Sequence, residues 1–472
     1  VNSIGDLLRG EDRRAVVVGY ARTGQVAASW LAEHGWQVTV VEDDAELGLS
    51  PASPSAFDLE VAPAPARAAE LGAQADLVVP SPGVPFCHPL VSAALGAGVP
   101  VVAEVELAWV ELEARRSESV PVTLVGLTGT NGKTTVAELV GEMLRRSGRE
   151  AVVAGNVGYP LLGAVRALTH PGGAVVVAEL SSFQLCFVHE LRPDVACWLN
   201  FAPDHLDWHP DLSHYAAAKA RIWARQSPGC TAVANVADPV VAEAASSVPP
   251  GVKLVGFGPE QEGSEASWTY GPQGVRGPGG FALARSELAR SFPHDLANVA
   301  AAAAVAISAG ASFSGCAAAA REQLPPPHRV QLVGEAAGVS WYDDSKATTP
   351  ASVLAAVSAF GSVVLIAGGR NKGLDLSVLA RAVPPVRAVV AIGEAGGEVA
   401  EVFAGRVPVK RAGSMEEAVE LARQFARPGD AVLLSPGCAS FDWYRSYAQR
   451  GEHFSSLVRA RLTEPAMAEA RS

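Results

Sequence analysis

One unit recurs along this chain and constrains its fold more than any other feature: a short β-branched run, a glycine turn, then a helix with apolar periodicity. The stretch "RRAVVVGYARTGQVAASWLAEHGWQVTVVEDD" (13–44) carries a buried strand over 15–18, a helix ending at Gly35 and a second strand over 38–41. "ADLVVPSPGV" (75–84) repeats the strand and turn. "PVTLVGL" (121–127) leads through "TGTNG" into a helix reaching about Arg146, and "GAVVVAEL" (173–180) is a further strand. Beyond residue 325 the same alternation returns in "VVLIAGG" (363–369), "RAVVAIGEAG" (387–396) and "AVLLSPG" (431–437). Such alternation predicts α/β architecture with mostly parallel sheets, whose ligands bind at the carboxyl ends of the strands.

A chain of 472 residues exceeds what one hydrophobic core organises. The charged stretch "ELEARRSES" (111–119), followed by Pro121, suggests a first boundary, and the stiff "LPPPHR" (324–329) a second. Three domains are expected: a Rossmann-like 1–118, a central 119–325 with a parallel sheet of the phosphate-loop ATPase type, and a Rossmann-like 326–472.

The net charge of −12 argues against a general nucleic-acid binder, so an anionic ligand has to be held by local groups. The six cysteines (87, 186, 197, 230, 316 and 438) form no CxxC pair, which fits reduced thiols in a cytoplasm. "VNSIGDLLRGEDRR" lacks the apolar core of a signal peptide. The Ala-rich "LANVAAAAAVAISAGASFSGCAAAA" (296–320), broken by Gly310 and Gly315, reads as a helix pair and not a membrane span. A cytoplasmic protein without membrane insertion is expected.

The loop "LTGTNGKTT" (127–135) lies between a strand and a helix, where backbone N–H groups and a helix N-terminus converge on phosphate oxygens. Gly129, Thr130, Asn131, Gly132 and Thr135 would form the cradle. Lys133 would reach the terminal phosphates, and the Thr134 hydroxyl would bind Mg²⁺. The usual spacing asks for Gly at 127, where Leu stands. "GYARTG" (19–24) is a weaker nucleotide signal, with Ala21 at the position of the middle glycine. The acids Glu42, Asp43 and Asp44 follow at the distance of a ribose ligand.

Glu179 ends the strand "VVVAE" next to "LSSFQL", as a Mg²⁺ ligand would. "NFAPDHLDWH" (200–209) holds His205 and His209 four apart, but Leu206 replaces the base of a zinc-protease helix and Pro210 breaks the helix, so that reading fails. His205 is better read as a ligand close to metal or phosphate. Cys438 reads as a packed thiol. "WYDDSKATTP" (341–350), "GGRNKG" (368–373) and "SPGCASFDWY" (435–444) place Asp344, Lys346, Thr348, Lys372 and Ser440 on strand-end loops, a binding face.

In "HYAAAKARIW" (214–223), helical geometry stacks Tyr215, Lys219 and Trp223 on one stripe with Ile222, and turns Arg221 and Arg225 away. Lys219 either snorkels from that apolar stripe or is buried in it. An apolar setting favours the neutral amine.

Taken in order, "GTNGKTT", "ELSSFQL", "DHLD", "YAAAKARI", "PHR", "DDSKAT" and "SPGCASFD" resemble the Mur ligases, the ATP-dependent amide ligases of peptidoglycan precursor synthesis, and in particular their D-glutamate-adding branch. The resemblance spans all three blocks. It implies that ATP phosphorylates the L-alanine carboxylate of UDP-N-acetylmuramoyl-L-alanine. The amine of D-glutamate then attacks the acyl phosphate, and a tetrahedral intermediate collapses to amide, ADP and phosphate. It also implies two Mg²⁺ ions, with Thr134 and Glu179 serving one and His205 the other, and a carbamylated Lys219 that helps position Mg²⁺. Lys133, Glu179, His205 and Lys219 would form the catalytic set.

By the same carry-over, Asn298, Arg329 and Asp344 would meet ATP, with the third domain closing the cleft. Arg22, Thr23, Glu42 and Gly83 would hold the UDP end, and Asn156 and Ser181 would line the substrate path. Lys346, Thr348, Lys372, Ser440 and Tyr447 would hold D-glutamate. A monomer acting on small molecules is implied. The chain departs from the family pattern at Asp295 and Thr349, where asparagine is usual, and at Ala21. Two other readings stay open: a related Mur-type ligase for a different amino acid, and a nucleotide-binding regulatory protein without ligase activity.

Overall fold

The computed structural model describes residues 4–8, 13–45, 57–118, 120–169, 173–263, 265–322 and 324–463. Ser119, at the expected first boundary, and half of the N-terminal "VNSIGDLLRGEDRR" lie outside them. The chain divides into two compact units. The first comprises Val1–Phe201, Trp208–Ala289 and Leu296–Gln323, and the second Ala202–Asp207, Arg290–Asp295 and Leu324–Ser472.

The first unit holds two sheets. Strands β1 (Arg14–Val18), β2 (Gln37–Glu42), β3 (Asp58–Val61) and β4 (Leu77–Pro80) form a parallel sheet in the order β3-β2-β1-β4. The larger sheet contains β5 (Val122–Thr128), β6 (Ala151–Gly155), β7 (Ala174–Glu179), β8 (Val195–Trp198) and β9 (Thr231–Asn235). It continues with β10 (Lys253–Pro259), β11 (Trp268–Gly271), β12 (Gly274–Arg276) and β13 (Ala282–Ala284). The order is β13-β12-β11-β10-β9-β8-β5-β7-β6, parallel from β6 to β11 and antiparallel at β12 and β13.

The valine run of β7 and the largely apolar β5 follow from burial on both faces. Val175 and Val177 enter one core with Val125 and Leu127, whereas Val176 and Ala178 enter another with Leu124. The first of these cores takes in the helices Lys133–Arg146 and Pro293–Ser308. Ala300 through Ala306 of the latter are fully buried, because methyl groups let a helix lie close to its neighbours. The expected helix pair is Pro293–Ser308 and Phe313–Glu322. No described helix is long and apolar enough to cross a membrane.

The charged stretch at 111–117 is the end of the helix Glu104–Ser117, and it acts as a brace. Arg115 donates to the carbonyls of Leu168 and Arg166 at 2.8 and 2.9 Å, and Arg116 to that of Val122.

In the second unit, β14 (Gln331–Ala336), β15 (Val339–Asp343), β16 (Val363–Gly368), β17 (Val386–Ile392), β18 (Val409–Arg411) and β19 (Ala431–Leu434) form one sheet, ordered β14-β15-β19-β16-β17-β18. Only β14 runs antiparallel to its neighbour. Alternation again divides the core, with Val363 and Leu365 on one side and Val364 and Ile366 on the other. The fold is α/β with parallel sheets, as the sequence predicts.

Candidate active site

The phosphate loop leaves the carboxyl end of β5, which lies between β7 and β8, and enters the helix Lys133–Arg146. Gly132 caps that helix at φ +83°, where a Cβ would also meet Asn298 Oδ1 at 2.9 Å. Asn200, just past β8, fixes the loop. Its Oδ1 accepts from Thr130 N at 3.1 Å and Asn131 N at 2.9 Å, while its Nδ2 donates to Asn131 O at 3.1 Å. Lys133 curls back to donate to the carbonyls of Gly129 and Thr130 at 2.9 and 3.1 Å. Thr134 is half-buried and Thr135 buried in the first turn.

Lys219 joins the same loop. It lies on the buried stripe of the helix Leu212–Ala224 with Tyr215, Ile222 and Trp223, while Arg221 and Arg225 are exposed. At 1% exposure Lys219 does not snorkel. Its Nζ donates to Gly129 O at 2.8 Å and stands 4.7 Å from the Tyr215 ring centroid, and the Tyr215 hydroxyl is 3.1 Å from Thr130 Oγ1.

Glu179 ends β7, paired with Leu127 of β5 and Gly155 of β6, and is 3% exposed. Among the described residues its carboxylate accepts one hydrogen bond, from Asn156 Nδ2 to Oε1 at 3.0 Å, so Oε2 is left for a cation. A buried, half-engaged carboxylate at a strand end beside a phosphate loop fits a divalent ion with oxygen ligands. Ser181 caps the next short helix in a capping box with Gln184.

In the N-terminal sheet region, exposed Arg22 and half-buried Thr23 open the helix Arg22–Glu33 after β1, and exposed Gly83 lies on the loop after β4. Gly24 is required there, since a Cβ would fall 1.9 Å from Gly19 O. Glu42 is already engaged: it accepts from Tyr20 N at 2.7 Å and Asp44 N at 3.0 Å, so it shapes the turn.

His205 belongs to the second unit, at φ +57°, with Nε2 3.3 Å from Asp204 Oδ2. Asp344 is buried and holds backbone. It accepts from Val330 N at 3.2 Å and Ser435 Oγ at 2.7 Å, and burial raises its carboxyl to about 7. Arg329 lies between His328 and Val330, both at positive φ. Asp295 is bound to Arg290 at 2.6 and 2.7 Å, and Arg290 donates to the Arg329 carbonyl. The departure from asparagine at 295 therefore has a structural role, as the counter-charge of Arg290.

The D-glutamate candidates fall into groups. The Lys346 ammonium lies 3.8 Å from the Tyr447 ring centroid. Thr348 is half-buried on the turn before the helix Pro350–Val357, which Thr349 caps. Ser440 is buried, its carbonyl accepting from Tyr444 N at 2.8 Å. Lys372 is half-buried and forms no ion pair with the described residues. Cys438 is packed, its thiol pushed up to about 12 by burial.

Three residues here are invisible to motif reading. Asn200 staples the phosphate loop, and its place at a strand's carboxyl end is the one signal for it. Arg290 holds the Arg329 backbone. Arg450, 1% exposed, joins the "DDSKAT" turn to the "SPGCAS" loop. It donates to Ser345 Oγ and O at 2.9 Å each, to Cys438 O at 3.1 and 3.2 Å, and to Ala439 O at 3.2 Å. Burial lowers its guanidinium to about 10.

Comparison with known proteins agrees with this layout. Residues 13–103 match the Mur ligase MurD-like N-terminal domain, 127–306 the Mur ligase middle domain, and 328–438 the Mur ligase glutamate ligase domain. The chain is 41% identical to a UDP-N-acetylmuramoylalanine–D-glutamate ligase of Frankia casuarinae over 463 residues, 94% of each chain. It is 37% identical to the protein of that name from Pelotomaculum thermopropionicum, covering 94% of this chain and 97% of that one. Among solved structures it is similar to MurF from Acinetobacter baumannii (TM-score 0.58, 19% identity, covering 97% of this chain and 92% of that one). It is also similar to the UDP-N-acetylmuramate-alanine ligase of Thermotoga maritima (TM-score 0.55, 17% identity, 95% and 100%). With the phosphate loop, the strand-end acid and the buried lysine in family order, this chain belongs to the Mur ligases.

Proposed function

We propose that this chain joins D-glutamate to UDP-N-acetylmuramoyl-L-alanine, forming an amide at the expense of ATP in peptidoglycan precursor synthesis. The observation that carries the reading is the buried Lys219 amine on the Gly129 carbonyl of the phosphate loop, with Glu179 ending the neighbouring strand. The relatives' name and full-length similarity support the choice of substrates. In this reading 1–118 binds the UDP end, 119–325 binds ATP and 326–472 binds the amino acid.

A carboxylate is a poor electrophile, and phosphoryl transfer turns one of its oxygens into a leaving group. The phosphate loop and Lys133 orient the γ-phosphoryl group, and Asn298 and Arg329 are further ATP ligands. The D-glutamate amine attacks the acyl carbon. The C–N bond forms, the amine loses a proton, and phosphate departs with the C–O electron pair. Lys346, Lys372, Ser440 and Tyr447 hold the D-glutamate carboxylates. Thr134 and Glu179 would hold one Mg²⁺ and His205 a second; when bound, Mg²⁺ offsets the charge gathered on the phosphates. Lys219 as a neutral amine takes up CO₂, releasing a proton and leaving a carbamate anion.

A phosphate-release assay with ATP, Mg²⁺ and UDP-N-acetylmuramoyl-L-alanine tests the proposal. Turnover with D-glutamate, and little with L-glutamate or meso-diaminopimelate, is expected. Equal turnover with either of those would refute the substrate assignment, and ATP binding without turnover would refute the ligase reading.

A further inference from the structure

Outside the residues given roles above, Cys186, His209 and His214 bring a thiol and two imidazoles together. One ligand atom from each lies within 4.8 Å of the others. Cys186 ends the helix Ser182–Cys186, and His214 lies in the first turn of the helix Leu212–Ala224. His209 precedes that helix and is 1% exposed. We propose that these three residues form a binding site for one Zn²⁺-class cation, with a fourth coordination position open to solvent.

The donor set selects the metal. Thiolate and imidazole suit Zn²⁺, whereas Mg²⁺ takes oxygen ligands in octahedral geometry. The setting of His209 is that of a metal-binding histidine. Its Nε2 lies 2.9 Å from Ser182 Oγ, and its Nδ1 faces His214 Nδ1 at 2.8 Å. A hydroxyl on the outer nitrogen fixes the ring and directs the inner nitrogen at the metal position. Phe183, Trp208 and Tyr215 pack the same ring, with centroids at 5.7, 4.6 and 5.0 Å.

Zn–N bonds of about 2.0–2.1 Å at a tetrahedral angle need the two nitrogens roughly 3.3 Å apart. The rings therefore have to separate by only about half an ångström. Cys186 and His214 also line a cavity of about 760 Å³ with Phe86 and Arg221, which provides entry and room for a water ligand. Burial raises the Cys186 thiol to about 12, with the Arg221 cation opposing that shift, so metal entry releases a proton. An occupied site links the helix Ser182–Cys186 to the helix that carries Lys219.

Titration of the reduced full chain with Co²⁺ in excess Mg²⁺ tests this directly. One equivalent should give a near-ultraviolet thiolate-to-cobalt band with tetrahedral visible bands, both abolished by Zn²⁺. Oxygen ligands of a Mg²⁺ site give no thiolate band. Cys186→Ser should lose the band, with Cys186→Ala as the second variant, and His214→Ala should bind Co²⁺ at least tenfold more weakly. Saturation of the wild-type chain without a thiolate band, a band that persists without Cys186, or unchanged affinity in His214→Ala would each overturn the proposal.

Discussion

The Lys219 Nζ lies 2.8 Å from the carbonyl oxygen of Gly129, so a side chain from a core-facing helix stripe meets the first glycine of the phosphate loop. Removing the amine takes away one of the two lysine donors to that carbonyl, Lys133 being the other, and deletes the group that the proposed mechanism turns into a carbamate. Lys219→Ala should reduce kcat by about 10²–10³-fold, the scale of losing one preorganised electrostatic contact. Partial rescue by formate or acetate in the phosphate-release assay is expected, because a short carboxylate replaces the carbamate's charge.

Asn200 supplies the side-chain acceptor for two loop N–H groups. Asn200→Ala should raise KM for ATP about tenfold, a change of about 1.4 kcal/mol. Thermal unfolding should show a loss of roughly 1–3 kcal/mol from unsatisfied polar groups. Unchanged KM with reduced stability would make the residue purely structural.

Glu104 gives a pH signature. It is 2% exposed, its Oε1 accepts from Leu162 N at 2.6 Å, and its Oε2 has no hydrogen-bond partner among the described residues. Burial raises its carboxyl from 4.5 to about 7, with the Leu162 bond opposing the shift. Between those values the folded chain binds the proton more tightly than the unfolded chain, so this group's contribution to stability falls as pH rises through the window and is level above it. Glu104→Gln should be more stable than wild type at pH 8, by on the order of 2–3 kcal/mol. The difference should vanish near pH 4.5 in denaturant titrations.

Arg450 is a buried cation satisfied by hydroxyl and carbonyl oxygens of two loops. Arg450→Met should cost at least about 2 kcal/mol, because those oxygens lose their donors in a buried setting. In the folded fraction, KM for D-glutamate should rise more than KM for ATP, since the loops it joins carry Lys346 and Ser440. Equal changes in both constants would assign it to general packing.

The sequence made legible what repeats locally. Short apolar, β-branched runs marked β5 and β7, the glycines marked the phosphate loop, and the 3.6-residue period put Lys219 on an apolar stripe. Residues whose meaning is a long-range partner stayed hidden: Asn200 acts on residues about seventy positions upstream, and Arg450 on one 105 positions away. The short antiparallel strands β12 and β13, three residues each, are too brief for periodicity to register. At Glu42 the fold adds a role that spacing does not reveal: both carboxylate oxygens accept from nearby backbone N–H groups.

The helix Leu212–Ala224 carries Trp223, whose indole donates to Ala196 O of β8 at 3.1 Å, on the same stripe as Lys219. Rigidity and reactivity are therefore inherited together there. In the proposed reading, a repacking substitution at Trp223 that shifts this helix also shifts the amine against its loop, and is felt in turnover before it is felt in folding.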